Sequence, residues 1–511
     1  MKTVKMVVLS GVSFLSLMTT IAQAQVYVVG NGALPQGAIR VSALNQIPFS
    51  SLVAGSKIFL SSGTYTGGFT IAGARNGTAA NPIIVDALDT SNPPVINVSV
   101  DIQNSQYLKV QNLVVNNSTY SGIILRSGSN HISVVNNKIS SAGQAGIQVS
   151  SESFAVSHLI QGNTITNASI DGIYVDKNIS SSTDQIQIIN NTITGSATHG
   201  IEILASYVTV TGNKVYGSGR TIGGSSGIHL YSDAASASTS PYTALPYCDH
   251  VTISKNYVSG TRELQYYDGN GIELDHFCDS NLVQFNVITG NDGHGIIAFD
   301  SQNNIIRFNT VYGNSVDLNK QHSTNGAILS NVAEITLSTG GYNRTTNNYV
   351  YDNIAVATHA LITDKYHSSS AIFIDENTAL NQVNYIGPNM MYHTAGGTIL
   401  RYTFSYFLTT TASINSYTKT SGNIVAMPDF VNATLPVSGG LRLKSAAARG
   451  KVIANLTYTD YANESANTAS SIYLGAYYNL LPTSTLNVTK IIRRPTSSDN
   501  TRVQASIYTG K

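Results

Sequence analysis

The chain has no tryptophan, only two cysteines and 11% charged residues in 511. Its 28 basic and 27 acidic side chains leave a net charge of +1, which points neither to nucleic acid nor to an anionic membrane as partner. With tryptophan absent, any stacking surface falls to the 29 tyrosines and 13 phenylalanines. Scarce charge beside abundant Asn, Ser, Thr and Gly is the makeup of a β-rich extracellular protein rather than a helical enzyme. Long apolar runs are missing too, apart from Val7–Met18. That run follows Lys2 and Lys5, precedes Ala22-Gln23-Ala24, and is too short to span a bilayer. Residues 1–24 are therefore expected to be a signal peptide and the mature chain to be secreted or periplasmic, with no membrane partner.

What is present is a repeat. Gly-Ile recurs at Gly122, Gly146, Gly172, Gly200, Gly227, Gly271 and Gly295, in steps of 24, 26, 28, 27, 44 and 24 residues. Each Gly opens a short alternating segment, such as GIYVD, GIEIL, GIHLY and GIELD. The first and third residues after Gly are apolar and should point inward, the second and fourth outward. A second ladder runs in step at Asn137, Asn163, Asn191, Asn213, Asn256, Asn286 and Asn309. Asn suits tight turns because it tolerates left-handed backbone angles. Units of this length, with strands and no helical period, cannot bury an apolar face alone and must stack on copies of themselves.

These ladders resemble the right-handed parallel β-helix proteins of the pectate-lyase-like superfamily. The resemblance extends over roughly Gly63 to Gly475 and includes SGTYTGGFTI near the start and MPDFVNATLPVSGGLRLKSAAARGK near the end. It implies an all-β solenoid in which equivalent residues of successive coils lie about 4.8 Å apart. It also implies activity on polysaccharides, although many chemistries use this scaffold. The expected organisation is an N-terminal cap over 25–62 with one short helix, the β-helix over 63–479, and a tail over 480–511.

The long step between Gly227 and Gly271 carries inserted loops at 231–247 and 259–269, which hold Tyr231, Tyr242, Tyr247, Tyr266 and Tyr267. Insertions in a regular scaffold are more often functional than decorative. Cys248 and Cys278 each lie eight residues before a ladder Asn, so stacking puts them in register and within disulfide reach.

From Glu263 to Asp300 there are seven acids and no Lys or Arg. Two residues after Gly, the outward column reads Tyr174, Glu202, His229, Glu273. Four after Gly it includes Tyr231 and Asp275, and just before Gly it includes Asp171, His199, Ser226, Asn270 and His294. The sequence places Asp268, Glu273, Asp275, Asp292 and His294 as catalytic candidates. Tyr174, His199, Glu202, His229, Tyr231, Tyr266, Tyr267, Asn270 and His276 are the candidates for substrate contact. The repeated Asp-Gly turns at Asp268 and Asp292 should set two carboxylates side by side, so that one keeps its proton.

Hydrolysis of a glycosidic bond needs a protonated acid and a second carboxylate, and stacked coils supply both. A glycoside hydrolase acting as a monomer on a polysaccharide, without a cofactor, is the leading expectation. Its rival is β-elimination on a uronate polymer, with Ca²⁺ held by the clustered acids. The acidic stretch offers no Lys or Arg base for that step, and the Asp-Pro-His-Asp signature of β-helix epimerases is missing. A third possibility is a surface protein that binds glycan without cleaving it.

Overall fold

The computed structural model describes residues 23–150, 157–177, 185–232, 248–264, 268–317, 332–359, 369–375, 383–403, 405–417, 419–434, 436, 440–444, 461–462 and 475–477. Residues 1–22 of the expected signal peptide, most of the first inserted loop, Tyr266 and Tyr267, and the expected 480–511 tail lie outside them.

Among the described residues, successive short strands fall in turn into three sheets of 14, 13 and 13 strands, so each circuit of the chain adds one strand to each sheet. Among the described strands every pairing is parallel except Tyr406–Leu408 on Leu400–Tyr402, with one further antiparallel bridge between Phe430 and Leu443. This is a right-handed parallel β-helix, and its core is a continuous stack of inward residues. In the third sheet Ile201, Ile203, Ile228, Leu230, Ile272, Leu274, Ile296 and Ala298 are buried and pack coil on coil. The glycine before each of these strands is sterically required. A Cβ on Gly271 would lie 2.4 Å from Ile288 Cγ2 and 2.5 Å from the Gly295 carbonyl oxygen.

The asparagine ladder has a different role from the one its turn propensity suggests. The ladder residues are buried inside the coil, and it is mostly the preceding residue that adopts positive φ: Asn136, Gly162, Asn190, Gly212, Lys255, Phe285 and Phe308. With that backbone reversal in place, each Asn side chain turns inward and joins two coils. Asn256 Oδ1 accepts from the Asn213 amide (2.8 Å) and from Asn213 Nδ2 (3.0 Å). Asn256 Nδ2 donates to Asn286 Oδ1 (3.0 Å) and to the Val210 carbonyl (2.9 Å). The ladder continues through Asn353 and Asn389 to Asn423. Replacing Asn256 with Leu strands several buried donors and acceptors, and should cost about 3 kcal/mol or more, read as a lower thermal midpoint.

Residues 25–62 do more than cap. They contribute strands Val26–Val29, Ile39–Val41 and Lys57–Leu60 to the first sheet. Where a helix was expected there are two single 3-10 turns, Leu44–Gln46 and Phe49–Ser51, whose Leu44 and Phe49 enter the core. Toward the other end, Phe430, Leu441, Leu443, Ala476 and Tyr477 form a second apolar cluster with Tyr257, Val287, Ile354, Val356 and Met390 of the second sheet. Cys248 and Cys278 are disulfide-bonded with Cα atoms 5.0 Å apart, joining the coil that carries the insertion to the next.

Candidate active site

The third sheet carries the polar patch on its outer face. Its register aligns Tyr174 with Glu202, Glu202 with His229, and His229 with Glu273, one coil to the next. Tyr231 aligns with Asp275 in the neighbouring column. Alternation along each strand aims these side chains away from the core.

His229 is the centre of the patch. Its Nδ1 lies 3.5 Å from Glu202 Oε1 and its Nε2 lies 3.7 Å from Asp275 Oδ2. Burial alone would favour the neutral ring, but the Asp275 and Glu202 carboxylates raise its pKa well above the ordinary 6.5. The result is an imidazolium held between two carboxylates. For Glu202, burial opposes ionisation but His229 and His199 outweigh it, so its pKa falls to about 2.

Glu273 is 5% exposed and accepts hydrogen bonds through Oε2 from Ser226 Oγ and from Asn270 Nδ2, the latter at 3.0 Å. Burial first, and the Asp275 charge second, raise its pKa. Oxygens of Glu273 and Asp275 and a nitrogen of His229 lie within 4.8 Å of one another. Asp268 is also pushed well up, by burial and then by Glu273, and its Oδ1 accepts from Asn270 Nδ2 at 3.3 Å. Asp171, buried beside Glu202, is raised for the same two reasons. The patch thus sets carboxyls of raised proton affinity, Glu273, Asp268 and Asp171, beside Glu202, whose affinity is lowered.

His276 extends the patch. Its Nε2 is 3.5 Å from Asp275 and its Nδ1 3.6 Å from Asp300. Asp300 accepts from the amides of Gly340, Tyr342 and Arg344 and so fixes that loop over the site. Tyr342 meets the His276 ring edge-on with centroids 5.4 Å apart. Tyr174 and Tyr231 are half-buried at the margin of the patch, and Asp176 and Asp275 respectively add to the burial that raises their pKa values.

Two catalytic candidates are not brought into the patch. Asp292 turns toward the Glu263 amide (3.0 Å) and Arg262 (3.5 Å). The repeated Asp-Gly turns do not match because Asp268 has φ +72° whereas Asp292 does not adopt positive φ, so the two carboxylates diverge. The carboxyl that crowds Asp268 is Glu273, not Asp292. His294 binds the Ala333 amide (3.2 Å) and the Thr336 hydroxyl (2.7 Å) through Nδ1, and burial lowers its pKa to about 3.

His294 belongs to a structural series at the position before each ladder Gly. Asp171 accepts the His199 amide, His199 accepts the Ser226 amide, and Asn270 accepts the His294 amide, all at about 3 Å. His199 is therefore a coil staple, although it also stacks on His229 at 4.2 Å. Asp171, Ser226, Asp300 and Tyr342 join the patch without having been singled out. The first two were visible as column positions and Asp300 as the last acid of the stretch. Tyr342 lies where the sequence period is lost.

Calcium takes six to eight oxygen ligands. Here the position among Glu202, Glu273 and Asp275 is filled by the His229 ring, which already supplies positive charge. His199 Nδ1 accepts an amide hydrogen, so its Nε2 carries the proton and offers no lone pair. Among the described residues, ligand atoms of His199, Glu202 and His229, and likewise of His229, Glu273 and Asp275, lie within 4.8 Å of one another, and of these the Glu202, Glu273 and Asp275 oxygens are of the kind calcium takes.

A coiled parallel scaffold bearing acids of opposed proton affinity on one outward face is the class these observations define. The family model for the right handed beta helix region matches residues 88–241 and 178–400, more than half of the chain, and the chain belongs to that family. No curated protein matches it in sequence. Among similar solved structures is XylC in complex with xylose, with TM-score 0.51 and 11% identity over 90% of this chain and 98% of that one. Others are the A-module of the Azotobacter vinelandii mannuronan C-5 epimerase AlgE6 (0.49, 14%, 73% and 91%) and the pectate lyase Pel9A (0.38, 15%, 90% and 97%). At these identities the likeness is one of fold.

Proposed function

We propose that the chain is an exported, carbohydrate-active enzyme that hydrolyses glycosidic bonds, with Asp275 as nucleophile and Glu273 as general acid. One observation carries this reading: two carboxyl groups share one face of the strand Asn270–Asp275, their oxygens within 4.8 Å, and the Asp275 charge helps Glu273 keep its proton. Enzymes that form a glycosyl intermediate hold their two carboxyls about 5–5.5 Å apart. A protein of similar fold binds xylose, in keeping with a sugar ligand here.

In the first step Asp275 attacks the anomeric carbon while Glu273 gives its proton to the leaving oxygen. In the second, Glu273 takes a proton from water as the water displaces Asp275. The His229 imidazolium holds Asp275 in place and limits the charge crowding between Glu202 and Asp275. The test is product chemistry on a polysaccharide panel. Hydrolysis gives new reducing ends alone, whereas the ultraviolet absorbance of an unsaturated uronate would mark elimination and overturn the assignment.

A further inference from the structure

Resting on the hydrolase reading, we infer that the sugar bound at this patch is uncharged, a neutral pentose or hexose unit rather than a uronate. The groups facing the site are Glu202 from one strand, His229 and Tyr231 from the next, and Glu273 and Asp275 from the third, with Asp268, His276 and Asp300 from adjoining turns. Both cationic rings are already committed. His229 is held between Glu202 and Asp275, and His276 between Asp275 and Asp300.

The nearby guanidinium groups are also engaged. Arg262 turns to Asp292, and Arg344 pairs with Asp279 while lying over the Phe277 ring. Farther along the same column Arg401 is buried over Phe373 and Phe407. Among the described residues, Glu202, Asp275 and Asp300 share two imidazoles, so a uronate carboxylate placed there would add to a net negative patch whose cations already have partners. At about 5 Å and an effective dielectric near 20, one unit of unbalanced negative charge costs roughly two orders of magnitude in affinity.

The rung after Glu273 and Asp275 is apolar instead, Ile297 and Phe299. Phe299 also meets the His276 ring, at 4.9 Å between centroids. Ile297 is buried, and the half-buried Phe299 is the member of that rung that can meet the C–H face of a neutral ring. Hydroxyl groups, unlike a carboxylate, can donate to Asp275 and Glu202.

The test uses the whole chain on xylo-, gluco- and manno-oligosaccharides beside oligogalacturonate and oligomannuronate. Cleavage is followed by reducing ends, and binding to Glu273→Gln by calorimetry. The inference expects one neutral series to bind at least about 100-fold more tightly than either uronate. Neutral sugars bound but never cleaved would support it and sink the hydrolase reading. Uronates hydrolysed in preference would do the reverse. Uronates cleaved by elimination, or no neutral series binding at all, would overturn the inference.

Discussion

Asp275→Asn is expected to lower turnover by about 10³-fold or more while the coil stays folded, because the amide keeps the shape but cannot form the glycosyl bond. Asp275 also pairs with His229 and His276, so some thermal stability should go with the charge, and turnover is compared at a temperature where both proteins are folded. Glu273→Gln should also fall steeply, with a pattern of its own. A missing general acid matters most for leaving groups that need a proton, so an aryl glycoside with an acidic leaving group should recover much of the rate. Full activity in both variants would remove these residues from the chemistry.

The second large effect concerns His229. Its pKa in the fold is raised well above 6.5, so the stability it contributes is fully present below pH 6.5 and is lost as pH rises through the folded value. Glu202 runs the other way: its folded value is about 2, against an ordinary 4.5, so its contribution is present above pH 4.5 and fades as pH falls toward 2. The pair is strongest between those limits. Glu202→Gln should bring the His229 titration down, read directly from the imidazole resonances, and should move the alkaline loss of thermal stability to lower pH. His229→Ala leaves Glu202 and Asp275 without the cation between them, at a cost of about 3–5 kcal/mol near neutral pH. That variant should regain stability in acid, as the carboxylates protonate. A His229 resonance titrating at or below 6.5 would contradict the ion-triad picture.

Much of the fold was legible because a β-helix repeats one steric problem. Gly271 and its equivalents must lack a side chain, and the residues after them must alternate, so period and face can be read off. The same count correctly aligned Glu202, His229 and Glu273, and brought Cys248 against Cys278. What counting cannot supply is the sign of φ in a turn. Asp268 and Asp292 occupy equivalent positions, yet Asp268 and Gly269 are both left-handed where Asp292 and Gly293 are not. The asparagine ladder shows the same limit: its spacing was plain, but its burial depends on backbone reversal at the preceding residue. Histidines were ambiguous for another reason. His229 faces outward between acids and is charged, whereas His199 and His294, one position before a glycine, are consumed by the next coil's amides.

The central claim is that Glu273 and Asp275 act as a close pair on one strand. It is tested most directly by the anomeric configuration of the first product released from a cleaved oligosaccharide, followed by proton NMR before mutarotation. Oxygens within 4.8 Å predict retention of configuration through a glycosyl-Asp275 intermediate. Inversion would require a water between carboxyls set farther apart, about 6.5–9.5 Å, and would contradict the assignment.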